Sequence, residues 1–206
     1  VNFALLSAFI PTFFFVSVTP GMCMTLAMTL GMTIGVKRAL WMMLGELVGV
    51  AMVAILSAIG VAALLLNYPS VFVVLKYLGG AYLAYVGLQM WLSKGKMAIK
   101  ADSEESKPAS RLDLISQGFV TAIANPKGWA FFVALLPPFL DASHSLASQL
   151  IVLISIILTL EFICLLIYAT GGRTLKSLLM QSGNVRIMNR IAGTLMIGVG
   201  VWLAIG

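Results

Sequence analysis

Three ionisable residues stand deep in apolar sequence: Glu46, Lys127 and Glu161. An intramembrane charge costs at least ~2.5 kcal/mol on insertion scales, so such residues are functional by default. Lys127 belongs to Asn125-Pro126-Lys127. Proline removes one helical hydrogen bond and frees a carbonyl on the preceding turn. A second interruption, Thr19-Pro20-Gly21, lies in the first apolar stretch. The ammonium of Lys127 and the N-terminus of a half-helix both suit a carboxylate. Glu46 and Glu161 suit an ammonium or a proton. A small zwitterion such as an amino acid carries both charges and fits this set. The candidate site is therefore Pro20, Gly21, Glu46, Asn125, Pro126, Lys127 and Glu161, with a proton as second ligand. The competing interpretation is structural: Lys127 paired with Glu161 or Glu46 to hold helices together.

The elements that position these residues follow from hydropathy. The chain has 206 residues, 61% hydrophobic and 10% charged, which excludes both an ordinary soluble domain and disorder. A spanning helix needs about 20 mostly apolar residues. Six stretches qualify: 3–30 (broken at Pro20), 39–66, 71–92, 114–140 (broken at Pro126), 146–169 and 191–206, the last starting near Arg186. Lys127 lies roughly 20 Å into the fourth, too deep to reach an interface easily. The fold class expected is an all-α polytopic membrane protein.

Basic residues crowd into alternate loops, which hold 11 of the 13 Lys and Arg. Lys37 and Arg38 follow span 1, Lys94 to Arg111 follow span 3, and Arg173 to Arg190 follow span 5. The positive-inside rule puts these loops in the cytoplasm and both termini on the periplasmic or extracellular side. The same distribution explains the net charge of +6 without a nucleic-acid partner. Residues 93–113 carry Asp102-Ser103-Glu104-Glu105 and Pro108, and read as a cytoplasmic linker. It divides the chain into 1–92 and 114–206, with three spans each. Interruption, acid and paired glycines recur in order: Pro20 and Pro126, Glu46 and Glu161, Gly80 and Gly193, Gly87 and Gly200. An odd number of spans per half makes the two halves inverted repeats about an axis in the membrane plane. The glycines of Gly45-Glu46-Leu47-Val48-Gly49 serve close helix packing. Residues 174–189 suggest a short interfacial helix.

Neither Cys23 and Cys164 nor the single His144 has metal-ligand spacing, and no cofactor is expected. A metal-ion exporter would want clustered His, Cys or carboxylates. A membrane thiol–disulfide relay would need a cysteine at each break, yet Gly128 and Trp129 stand beside the second. A passive scaffold would not carry buried charges or paired breaks. Another small solute or cation carried on the same fold remains the main alternative. Self-association into a homo-oligomer is left open.

Two segments carry a family resemblance. Asn125-Pro126-Lys127-Gly128-Trp129-Ala130-Phe131-Phe132 is similar to the span-4 signature of the LysE/RhtB family of amino-acid exporters. Lys76-Tyr77-Leu78-Gly79-Gly80-Ala81-Tyr82-Leu83-Ala84-Tyr85-Val86-Gly87 resembles their span-3 signature. Thr19-Pro20-Gly21 matches the start of their Pro-Gly-Pro break, with Met22 in place of the second proline, and Glu46 stands where they commonly carry Asp. The resemblance covers nearly the whole chain. It implies an inner-membrane exporter of amino acids or their derivatives, a secondary transporter driven by the proton gradient, and not an enzyme.

Overall fold

The computed structural model describes residues 3–92, 109–136, 139–140, 145–180 and 182–205. Every regular element among them is helical: α1 (Phe3–Val18), α2 (Met22–Thr33), α3 (Val36–Asn67), α4 (Pro69–Leu92), α5 (Arg111–Ile123), α6 (Pro126–Leu135), α7 (Leu146–Met180) and α8 (Ser182–Ile205). Val36–Val61 and Leu146–Gly172 are each long and apolar enough to cross a membrane. Phe9–Val18 and Met22–Thr33 together form a third such segment, bent by 56° where Thr19, Pro20 and Gly21 intervene. Most of the expected linker, 93–108, lies outside the described residues, as does His144.

Glycines decide which helices meet. A methyl group at Gly45 would strike the backbone of Ile115, one at Gly118 the backbone of Met42, and one at Gly49 would meet Ala122. From Gly45–Ile115 to Gly49–Ala122 the partners advance together along both chains, so α3 and α5 run parallel with their backbones in contact. Gly87 faces Gly193, and Gly200 faces Gly80, so α4 and α8 are antiparallel. Gly31 lies on the backbone at Ala169, joining α2 to α7. Small residues are what allow such close approach in an apolar medium.

Basic side chains tie helices to one another. Arg38 donates to the carbonyl of Ala109 at 2.6 Å. The Arg111 guanidinium lies 5.0 Å from the Trp41 ring centre, and that of Arg190 lies 4.7 Å from Trp91. Both distances suit a cation–π contact. Ser110 and Asp113 form a reciprocal capping box that starts α5. The Ser110 hydroxyl and amide hold the Asp113 carboxyl below its ordinary range.

Two cores result. One, at the basic end, is built from Met24, Met28, Met42, Met43, Leu114, Cys164 and Tyr168 with small alanines. The other is aromatic: Phe9, Phe13, Phe131, Phe132 and Phe139, with Val53, Leu153 and Ile157. Phe9 and Phe139 meet edge to face at 4.9 Å, a favoured aromatic geometry. Sequence order places Glu46 between Met43 of one core and Val53 of the other, and Glu161 between Cys164 and Ile157.

One feature differs from the expectation. Helix α8 begins at Ser182, ahead of Arg186 and well ahead of the apolar stretch. Hydropathy reports immersion, and a helix can extend beyond its immersed part. The segment from Thr174 is helical to Met180 and is set off from the rest of α7 by the non-helical Gly172, whose φ is +26°.

Candidate functional site

The two interruptions lie side by side, and each is closed differently. Pro126 opens α6 at its first helical position, where a missing N–H costs nothing. Asn125 precedes it, and its side-chain oxygen accepts the Lys127 amide at 3.1 Å. The indole N–H of Trp129 donates to the Ile123 carbonyl at 2.8 Å. This break is thus satisfied by residues within a few positions of it.

The first break draws on the distant half of the chain. Thr19 bonds back to the Phe15 carbonyl at 2.6 Å. Lys127 Nζ donates to the carbonyl of Val16 at 2.7 Å, and Tyr168 Oη to that of Val18 at 2.7 Å. Gly21 caps α2 with no side-chain bond. The carbonyl end of a helix carries partial negative charge, so the Lys127 ammonium is well placed there. Asn125 Nδ2 reaches Cys23 Sγ at 3.8 Å and links the breaks a second time.

Between them lies a small cavity with about 60 Å³ of room for water, enough for a few molecules. Gly21, Glu46, Asn125, Lys127 and Glu161 all line it. Pro20 and Pro126 stand at the breaks that shape it and are not among the lining residues. Glu161 accepts a hydrogen bond from Ser17 Oγ. Glu46 is fully buried, and among the described residues neither of its carboxylate oxygens accepts a well-formed hydrogen bond. Glu161 and Cys23 stand beside it, near enough to become partners on a small shift. Buried polar groups are nearly always satisfied, and those that are not ask for an explanation.

Sequence reasoning left four of the lining or supporting residues, Ser17, Val50, Val53 and Tyr168, unnamed. Ser17 sits two positions before the interruption and binds Glu161. Tyr168 follows Glu161 by seven, which puts both on one face of α7; that spacing was available as a signal. Val50 and Val53 line the cavity at i+4 and i+7 from Glu46. Phe131 and Phe132 line it too, whereas Trp129 acts as a local cap. The competing interpretation paired Lys127 with an acid; its ammonium donates to the Val16 carbonyl. Lys127 sits at the start of α6, beside the open carbonyls of α1, and these offer its ammonium a direct acceptor.

The LysE type translocator family matches residues 14–206. The chain belongs to that family. A translocator of similar length in Enterobacter sp. (strain 638), named a leucine efflux protein, is 26% identical over 93% of this chain and 90% of its own. A homoserine/homoserine lactone efflux protein of Salmonella typhi is 25% identical over 76% of this translocator and 74% of its own length. A membrane protein of Vibrio cholerae is 27% identical over 82% and 80%. No solved structure matches the translocator.

Proposed function

We propose that this protein exports an amino acid or amino-acid derivative across the bacterial inner membrane, exchanging it for protons. The observation that carries this is Glu46, a wholly buried carboxylate with no well-formed hydrogen bond among the described residues, lining a cavity with Glu161 and Lys127. A substrate ammonium or a proton satisfies it. Two neighbouring carboxylates can also share one proton, because like charges at close range resist joint ionisation. The Lys127 ammonium serves the substrate carboxylate, which competes for it with the Val16 carbonyl. Family membership and the efflux proteins among the relatives support the same activity.

In this proposal the six spans are α1–α2, α3, α4, α5–α6, α7 and α8, arranged as two inverted repeats, 1–92 and 114–206, joined by 93–113. The helix directions support it. Spans 2 and 4 run parallel through Gly45 and Gly49, and spans 1 and 5 run parallel through Ser17–Glu161 and Gly31–Ala169. These two pairs exchange under the repeat, while the antiparallel α4–α8 pair maps onto itself. Arg38, Arg111 and Arg190 mark the cytoplasmic end, which leaves both termini on the other side.

The test is counterflow in proteoliposomes against a panel of amino acids, beside export driven by a pH gradient. Wild type retains one class of amino acid in both assays. Glu46→Gln loses pH-driven export and keeps part of the counterflow, because exchange needs no net proton transfer. Undiminished pH-driven export in Glu46→Gln would remove Glu46 from the coupling step. Failure of every amino acid in counterflow would overturn the transport proposal.

A further inference from the structure

One hydroxyl in the core breaks a pattern. Thr29, Thr121, Ser155, Thr159 and Thr194 each donate to the carbonyl one turn before them. A helical Ser or Thr pairs itself in this way where water is scarce. Ser17 donates instead to the acid Glu161. Ser57 does neither. It is only 4% exposed, and among the described residues its hydroxyl has no partner. Glu46, Val50, Val53 and Ser57 recur at i, i+4, i+7 and i+11, which sets them on one face of α3. The first three line the cavity, where Glu46 belongs to the polar level with Ser17, Lys127 and Glu161. Ser57 stands roughly 17 Å beyond Glu46 along α3, flanked by Ala54 and Ala58 of the aromatic core. Helix α7 carries a counterpart at a similar height: Gln149, 3% exposed, on the same side of Glu161 as that core.

We infer that the molecule leaving the cavity passes outward along this face of α3, and that Ser57 is a polar station on the route, bonding that molecule once the aromatic core has parted. The inference rests on the transport proposal above and adds the exit route. The route is shut in this state: Phe13, Phe131 and Phe132 pack at the cavity, and Ser57 is not among its lining residues. A hydroxyl both donates and accepts, so it suits either the ammonium or the carboxylate of a zwitterion. Had Ser57 bonded its own helix, a passing ligand would offer it little. Left without a partner, it gains a bond only when the ligand arrives. The closed state carries the cost of the buried hydroxyl and the open, loaded state recovers it, which biases the molecule toward opening outward when loaded.

Two measurements test it. Ser57→Ala deletes the hydroxyl. Its Tm in detergent should hold or rise, because no hydrogen bond is lost, while counterflow slows several-fold. A residue that merely packs gives a lower Tm or undiminished counterflow, and either result overturns the station. Ser57→Cys and Ala58→Cys are then treated with a membrane-impermeant thiol reagent from outside right-side-out vesicles. Ala58 is fully buried and lies about 100° round the helix from Ser57. Wild type, with Cys23 and Cys164, gives the baseline. Ser57→Cys should react at least about ten-fold faster than Ala58→Cys, since opening along one face exposes one and not the other. Equal rates, or a rate at Ser57→Cys no higher than the baseline, overturn the route. Absence of counterflow with every amino acid in wild type overturns the transport proposal and the station with it. The labelling ratio needs no substrate and decides the route in either case.

Discussion

The two helix breaks solve one problem in opposite ways. Both leave backbone groups unpaired where water is scarce, and such groups must find partners. The second break, at Asn125-Pro126, uses its own neighbourhood: Asn125, Trp129 and the proline itself. The first, at Thr19-Pro20-Gly21, keeps one local bond from Thr19 and takes two from the other half of the chain, through Lys127 and Tyr168. A self-closed break holds its shape whatever its surroundings do. A break closed from across the molecule can change when its partners are recruited elsewhere. On this contrast the first break, rather than the second, is expected to change when its distant partners are removed.

The strongest way to break this contrast is Lys127→Met. It removes the ammonium from the Val16 carbonyl and from the cavity at once. Transport should be lost, with membrane insertion retained, and stability should fall by about 1.5–3 kcal/mol, the usual contribution of a hydrogen bond to a charged group. Counterflow and thermal unfolding in detergent report the two effects. Full transport by Lys127→Met would show that neither the substrate nor the first break depends on it.

Tyr168→Phe is the sharper instrument. It deletes one hydroxyl, keeps the buried ring, and leaves the polar level of the cavity untouched. A loss near 1 kcal/mol is expected. Faster amide exchange should be confined to the end of α1 and the start of α2, with Ile123–Trp129 unchanged. Equal acceleration at both breaks would erase the distinction between them.

Asn125→Ala should have the smallest effect, about 1 kcal/mol for a lost N-cap. Its exchange signature should stay within the first turn of α6. A change at Val16–Cys23 would mean that the Asn125–Cys23 contact carries more than its 3.8 Å length suggests.

The second break was legible in sequence because its chemistry is local. A proline preceded by Asn specifies a helix start, and Asn125, Pro126 and Lys127 take up those positions. The partners of the first break were not legible. Val16 and Lys127 are 111 residues apart, Val18 and Tyr168 are 150 apart, and only the packing of α1 on α6 and α7 brings them together. The acids stood out because charge is conspicuous in apolar sequence. Val50 and Phe131, which line the cavity beside them, did not, since they look like any core residue until their neighbours are known. The early start of α8 escaped for a further reason: Ser182–Arg190 is polar, and polarity argues against immersion without arguing against helix.

The contact between α3 and α5 bears on speed. Where Gly45 and Gly118 let the two backbones touch, no side chain stands between them to rotate aside. Exposed rotamers turn over in picoseconds to nanoseconds, whereas packed helices shift in microseconds to milliseconds. Any passage at that end must wait for whole helices to part, along with the Arg38–Ala109 bond and the Arg111–Trp41 contact that fasten them. The aromatic end, closed by separate rings, has no such clock.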